Sequence, residues 1–407
     1  MATKSKKNKT IVLHIAEEKY GDFINNTATA HAVIQKSLKR SPELFPKAIA
    51  EEGYTLKGKD RVSIKMGIQL RRIRIGNSIY RIRPGFVLSY MRAKTKDVEK
   101  ALFLIRFGVP FWALAIVFGR NAMFWYRLFI SLGYFNLVGT TVYNRDKMPV
   151  HLLADEFHIR IKGVKAYVAT IVAGACLLAT EVCSKADELT LRTAYGVFKA
   201  ETLSIWENYK PFSFNTDGWT ATQNALRYLF DEAQIVECYL HAVIKIRDRA
   251  TKKLQEHFQI AVDKVWNIYR ASSKRQMSQL IRRLREWSDT VPQSAMKDNL
   301  LKLCKKKYRW LAHFDTPDAY RTSAHLDRIM KIMERHAINS QMFHATVSST
   351  SMNFRALALI YNFSPSCPAV TKQFPELISP AARLNGYVYS KSWLENLLIA
   401  ASLNGFK

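Results

Sequence analysis

Asp217 closes a short apolar run, Phe212-Ser213-Phe214-Asn215-Thr216, and is followed by Gly218. A carboxylate at the end of a buried strand is costly unless it is solvated, paired or bound to a cation. Asp-Gly is also an ordinary turn signal, so Asp217 gains weight only from a second acid. The segment Leu153 to Ile161 supplies one. Its period of two places Leu153, Asp155, Phe157, Ile159 and Ile161 on one face and Ala154, Glu156, His158, Arg160 and Lys162 on the other. Glu156 sits among polar neighbours and reads as a solvated or paired surface acid. Asp155 interrupts an apolar face and is a site candidate. Downstream of Asp217 stand Cys238 and His241, a Cys-x-x-His pair. The pair alone is not a zinc site, because two further ligands are missing at any usual spacing. A later helix carries Asp327 and Glu334 two turns, or ~10 Å, apart by the helix rise, so one metal pair cannot use both directly.

The elements that must position these residues alternate in type. VHLLADEFHIRIKG, VKAYVATIVAG and CLLATEVC read as three strands with short turns, an antiparallel meander. A helical segment follows from Glu188 to Trp206, then the strand ending at Asp217, a helix with Ala221, Ala225, Leu226 and Leu229 on one face, a strand at Ile235-Val236, and the helix holding His241. This order matches a ribonuclease H-like fold by analogy, and topology alone establishes no chemistry. Residues 250–311 form a basic helical stretch. Leu254, Phe258, Val262, Val265 and Tyr269 make one apolar stripe there, and Met277, Leu280, Ile281, Leu284 and Trp287 make another. Lys274, Arg275, Arg282, Arg283 and Arg285 lie on the opposite sides, as a solvated face or a DNA path.

Upstream, three helices are expected between residues 94 and 133. Pro110 starts the second and Asn121 caps the third. Short helices joined by a turn in a basic chain suggest helix-turn-helix, with Tyr126 and Arg127 on the exposed side of the recognition helix and Phe124 and Trp125 in the core. Residues 62–70 alternate as a half-buried strand, and the alternation continues around Gly76-Asn77 as a hairpin. The arginines on that hairpin are either an edge guarded by charge or a ribbon lying on phosphates.

Lys and Arg outnumber acids 62 to 33, a net charge of +29. Such an excess calls for an extended acidic partner, nucleic acid or an anionic membrane. The longest uncharged run, Ala166 to Thr180, is short of the ~20 apolar residues of a spanning helix. The N-terminal MATKSKKNK reads as a basic polar tail rather than a secretory signal. Five scattered cysteines suggest a reducing compartment without a disulfide framework. A cytoplasmic, non-membrane protein is expected.

Leu153-Ala154-Asp155-Glu156, Asn215-Thr216-Asp217-Gly218-Trp219, Cys238-x-x-His241 and Arg321-Thr322-Ser323-x-x-Leu326-Asp327-Arg328, in that order, resemble insertion-sequence transposases of the DDE type, closest to bacterial relatives of the Mutator-like group. The resemblance spans about residues 152–361. It implies three metal-binding acids, with the Cys-x-x-His signature and a helical insertion between the second and the third. The family's third acid is normally Glu in a Leu-Glu-Arg setting, whereas here the triplet is Leu326-Asp327-Arg328. Asp327 is the match, with Glu334 the alternative.

On this resemblance the chain is α+β or α/β. A loosely structured basic region (1–60), a β-hairpin segment (61–93) and an all-α helix-turn-helix domain (94–137) precede a ribonuclease H-like catalytic core (148–249 and 321–362). That core is split by a helical insertion (250–320) and followed by a C-terminal tail and helix (363–407). The implied chemistry is cleavage and strand transfer of double-stranded DNA with Mg²⁺ or Mn²⁺, by a homodimer or higher assembly on DNA. Asp155 would bridge two ions, Asp217 and Asp327 would each hold one, and Cys238 and His241 would support them. Arg282, Arg283 and Arg328 join Tyr126 and Arg127 as candidate DNA contacts. A nuclease without strand transfer and a non-catalytic DNA-binding protein are the rival readings.

Overall fold

The computed structural model describes residues 9–406 except Tyr90, Arg92, Thr251, Gln341 and Met342. Most of the basic tail lies outside the described residues. The fold is mixed α/β and contains two mixed sheets.

The first sheet has the order β1-β4-β3-β2, from β1 (Thr10–Leu13), β2 (Thr55–Lys59), β3 (Arg71–Ile75) and β4 (Ser78–Pro84). The hairpin at Gly76-Asn77 is present, with Arg72 opposite Arg81. Residues 62–70 do not form the expected strand. They turn at Ser63 to Gly67, where Gly67 has φ +72°, and leave Ile64 in solvent. Their alternation is genuine but has no partner strand. Residues 9–60 are not loosely structured. They supply β1, β2 and the helices α1 (Tyr20–Asn25), α2 (Thr27–Arg40) and α3 (Ile49–Glu52). The apolar positions that fold them are few but fully used: Ile11, Leu13, Phe23, Ala30 and Ile34 are all inaccessible. Asn26 caps α2 by accepting the Thr29 N–H at 3.1 Å. Several hairpin arginines are structural. Arg72 and Arg81 both pair with Asp60, at 3.4 and 2.5 Å, and buried Arg71 donates to the Phe23 carbonyl.

Helices α4 (Thr95–Ile105), α5 (Phe111–Phe118) and α6 (Ala122–Leu132) follow, and α7 (Leu137–Thr141) leads into the second sheet. Asn121 caps α6 by accepting from Phe124 N at 2.7 Å. Trp125 is core, and its indole donates to the Gly119 carbonyl.

The second sheet comprises β5 (His151–Ile161), β6 (Val164–Ala173), β7 (Cys176–Cys183), β8 (Ser213–Thr216) and β9 (Gln234–Glu237) in the order β7-β6-β5-β8-β9. The first three are antiparallel neighbours, and β8 and β9 run parallel to β5. Two crossings connect them, α8 (Glu188–Leu203) after β7 and α9 (Thr220–Leu229) after β8. From β9 the chain enters α10 (Tyr239–Arg247), then α11 (Gln255–Tyr269), α12 (Lys274–Ser288), α13 (Ala295–Lys305) and α14 (Lys307–Leu311). These helices build a second apolar core of their own around Tyr239, Val265, Ile281, Leu300 and Trp310.

The chain returns through α15 (Ala324–Asn339) and α16 (Val347–Phe363). From Asn353 to Phe363 every residue of α16 is buried, and the helix packs on β7, α6 and α7. The expected C-terminal helix is present from Trp393, but the residues before it are helical as well. Helices α17 (Pro368–Gln373), α18 (Pro380–Asn385) and α19 (Trp393–Ala400) follow, and α19 is almost wholly buried. Beyond it, the Ser402 hydroxyl accepts the Val12 N–H of β1 at 3.1 Å and donates to the Leu44 carbonyl at 2.7 Å. Leu394, Leu397, Leu398 and Ile399 of α19 are core because that helix packs between β1 of the first sheet and α16. Among the described residues, no helix is long and apolar enough to cross a membrane.

Buried Arg355 ties this packing together. It pairs with Glu181 of β7 and Glu201 of α8 and donates to the carbonyls of Gly133 and Phe135. Arg355→Met strands buried Glu201 and half-buried Glu181, and loss of one partner of such a buried pair costs about 3–5 kcal/mol. The expected outcome at pH 7 is a fall of that size in urea-unfolding free energy. Adding Glu181→Gln and Glu201→Gln should recover part of it. A single variant as stable as the parent would show that the cluster does not hold α16.

Candidate functional site

Leu153 of β5 lies opposite Asn215 of β8, and Asn215 lies opposite Val236 of β9. Two residues further along each strand direction come Asp155, Asp217 and Cys238. In this way the parallel register gathers all three at one place on one face of the sheet. Backbone chemistry fixes the turn after β8. Asp217 Oδ1 accepts the Trp219 N–H at 2.8 Å, and the Asp217 carbonyl accepts from Lys245 Nζ at 3.3 Å. Gly218 has φ +95°, and a Cβ there would sit 2.7 Å from Glu237 Oε1. The positive φ disfavours any side chain there, and a Cβ would also push on the Glu237 carboxylate.

The third acid arrives from the far side of the insertion. The returning chain is bonded to the sheet and to α10: Asn215 Nδ2 donates to the Tyr320 carbonyl at 2.8 Å, and Tyr239 N donates to the Arg321 carbonyl at 3.0 Å. Ser323 then begins α15. Its N–H donates to Cys238 Sγ at 3.1 Å, and its hydroxyl lies 3.3 Å from both Asp327 carboxylate oxygens and 3.4 Å from His241 Nδ1. Ser323 stands at the N-cap, but its side chain bonds the site rather than the helix end.

The result is a cluster in which one ligand atom each of Asp155, His241 and Asp327 lies within 4.8 Å of the others. Asp217 stands close enough for its charge to act on Asp155. Burial pushes the Asp155 carboxyl up to about 7, with the charges of Asp217 and Glu156 adding to the rise. His241 is raised to about 9, first by its hydrogen bond to Cys238 and then, against burial, by the charges of Cys238, Asp155 and Asp327. Burial alone would raise the Cys238 thiol, but hydrogen bonds with His241 and Ser323 bring it below its ordinary value. At neutral pH the imidazolium thus serves as counter-ion to a carboxylate cluster.

The structure separates the two proposed third acids. Asp327 points into the cluster. Glu334 is exposed and lines a different cavity, beside Phe157, Arg160 and Phe343. Glu156 is not freely solvated but paired. It is half-buried beneath α8 and α9, where it accepts from the hydroxyls of Tyr195 at 2.6 Å and Thr222 at 2.8 Å, and desolvation raises it to about 6. Its polar neighbours along β5, His158 and Arg160, lie beyond the helices that cover it. Tyr126 does not project freely. It is half-buried, with its ring edge-on to Phe111 at 5.7 Å, because α5 packs against that side of α6. Arg127, Arg282, Arg283 and Arg328 are exposed.

Sequence reasoning missed Ser323 as the junction of the site, Glu237 behind the Gly218 turn, and Lys245 on the Asp217 carbonyl. Ser323 was legible only as a helix start, and Glu237 only as the last residue of a short strand.

No protein-family profile and no curated protein matches the chain.

The donor set fits a divalent cation. Asp155 and Asp327 offer hard carboxylate oxygens, and His241 offers a ring nitrogen, with one such atom of each within 4.8 Å of the others. A cation entering among them must displace the protons that Asp155 and His241 carry. Mn²⁺ affinity, read by calorimetric titration between pH 5 and 10, should therefore rise with pH through about 7 and keep rising to about 9. His241→Gln should remove the upper part of the rise and leave the lower. A parent profile that is flat above pH 7 would take His241 out of the ligand set.

Proposed function

We propose that the chain is a DDE-type transposase that binds the ends of an insertion sequence and catalyses divalent-metal-dependent DNA cleavage and strand transfer. One observation carries this reading. Asp155 in β5 and Asp327 in α15, more than 170 residues apart in the chain, bring their carboxylates to within 4.8 Å, with Asp217 acting on Asp155 from the end of β8. The strand order β7-β6-β5-β8-β9, with β8 and β9 parallel to β5, supports a ribonuclease H-like core. The net charge of +29 supports a polyanionic substrate.

Asp155, Asp217 and Asp327 would hold Mg²⁺ or Mn²⁺, which when bound activates water or a 3′-hydroxyl and stabilises the leaving oxygen of the phosphodiester. Ser323 holds the Asp327 carboxylate in place through its hydroxyl. His241 offsets the mutual repulsion of the acids until the cation and the DNA arrive. The Gly218 turn aims Asp217 toward β5. Lys245, exposed beside that turn, is placed to meet a phosphate approaching Asp217. The helix-turn-helix reading of α4 to α6 supplies a DNA contact separate from the acids, with Arg127 on its exposed side.

Asp217→Asn keeps the size of the side chain and removes the charge that holds a cation. On labelled transposon ends with Mg²⁺, the variant should lose cleavage by at least about a hundredfold, the scale of removing one transition-state electrostatic group. Its DNA affinity should stay within about twofold, because affinity comes from many dispersed cations. EDTA should abolish parental cleavage. Equal nicking by both proteins would sink the catalytic assignment. Parental cleavage without joining to a supplied target would identify a nuclease.

A further inference from the structure

The insertion carries a cationic depression that the acid cluster does not use. It lies between α12 and the α13–α14 junction, has a volume of about 470 Å³, and is lined by Ser278, Gln279, Arg282, Arg285, Lys305 and Lys307. Its floor is apolar and closed, made by buried Ile281 and Cys304. Arg282 reaches Glu286 at 3.5 Å, a solvent-exposed pair worth little. Arg285, Lys305 and Lys307 have no acidic partner among the described residues. Four cations gathered on one concavity repel one another unless an anion joins them. The alternating hydrophobic stripe of α12 explains why that helix has a polar face, but not why three helices converge their cations on one point.

The basic surface is extended rather than confined to the depression. The basic surface continues along α12 from the depression to Arg275, one helical face away at i, i+4 and i+7 with Gln279 and Arg282, and Arg283 flanks it. The wall is also fixed relative to the acid cluster. Lys306 and Arg309, interleaved in sequence with Lys305 and Lys307, point the other way and grip buried Glu237 at 2.6 and 2.5 Å, directly behind the Gly218 turn. A ligand held in the depression is therefore held at a set position from Asp217.

We propose that this depression is a docking site for backbone phosphates of duplex DNA, a second anchor that positions the duplex on the insertion while another part of it enters the acid cluster. The inference rests on the DNA-acting reading for the identity of its anion. Arg285, Lys305 and Lys307 supply the charge, and Ser278 and Gln279 supply neutral hydrogen-bond donors to phosphate oxygens.

The test uses the full chain with Asp217→Asn in EDTA, so that metal-dependent cleavage is switched off whether or not Asp217 is catalytic. Affinity for a labelled duplex of about 30 base pairs is measured as a function of KCl, since each neutralised phosphate adds ~0.9 to the slope of log K against log salt. Arg285→Ala/Lys305→Ala/Lys307→Ala should reduce that slope by about 2 to 3 and weaken binding at least tenfold at low salt. A control with the same charge change on exposed lysines elsewhere, Lys39→Ala/Lys47→Ala/Lys372→Ala, should change the slope by less than about 1. Equal effects of the two triple variants, or none from the first, would overturn the docking site, because dispersed charge would then account for binding. If the first triple variant fails to fold, Arg285→Gln alone should lower the slope by about 1, and an unchanged slope overturns the proposal. Inorganic phosphate at matched ionic strength should compete no better than chloride; selective displacement of DNA by phosphate would instead make the depression a small-anion site. Failure here leaves the Asp217 cleavage result untouched, and failure of that result leaves this binding measurement interpretable.

Discussion

Burial of the Arg355 guanidinium is the constraint on which the two halves of the molecule depend. A buried charge is tolerable only when its hydrogen-bonding capacity is met. Here two carboxylates and two backbone carbonyls meet it, from β7, α8 and the chain between α6 and α7. One side chain therefore fixes α16 against the sheet, the crossing helix and the upstream helical segment at once. Both arms of the acid cluster lean on the same helix. Phe157 of β5 packs edge-on to Phe354, and buried His336 of α15 bonds Asn353 at 2.6 Å. The geometry of Asp155 and Asp327 is thus set from behind, by a helix that contributes nothing to the cluster itself.

The cluster solves a second electrostatic problem. Asp155, Asp217 and Asp327 repel one another, and partial burial raises that repulsion. The Cys-x-x-His pair answers it locally. Cys238 leaves β9 where the register brings Asp155 level with the end of β8, and one helical turn later His241 presents its ring to Asp155 and Asp327. The spacing of three residues is what a helix start requires for both side chains to face the same way. Ser323 closes the arrangement, linking sulfur, imidazole and the third carboxylate through one backbone N–H and one hydroxyl.

Much of residues 151–361 is legible in the sequence, because long strands and amphipathic helices carry their periods openly. Asp155 stands out as a polar residue on an apolar face, and Asp217 as an acid after a buried run. Glu156 misleads for a physical reason. Its alternate neighbours on β5 are polar, yet α8 and α9 cover only its end of the strand and supply the hydroxyls of Tyr195 and Thr222 from elements far away in sequence. The N-terminal elements are hidden because α2 buries few apolar side chains among many polar ones, and residues 62–70 show the converse, a strand period with no strand beside it. After Phe363 only the final helix is legible; α17 and α18 hide because each is a single short helix opened by proline. The segment's role in closing the first sheet rests on Ser402, whose contacts with Val12 and Leu44 no local pattern announces.

The position of α16 along the chain has a consequence for how the molecule is made. Strands β5 to β7 precede it by well over a hundred residues, and the insertion is translated in between. At ribosomal speeds of about 5–20 residues per second, the apolar side of these strands waits on the order of ten seconds or longer for the helix that covers it. During that interval the nascent meander is an open sheet with an uncapped greasy surface and a growing independent helical body attached. The insertion's separate apolar core lets that body condense without waiting, so the delay falls on the strands that will carry Asp155.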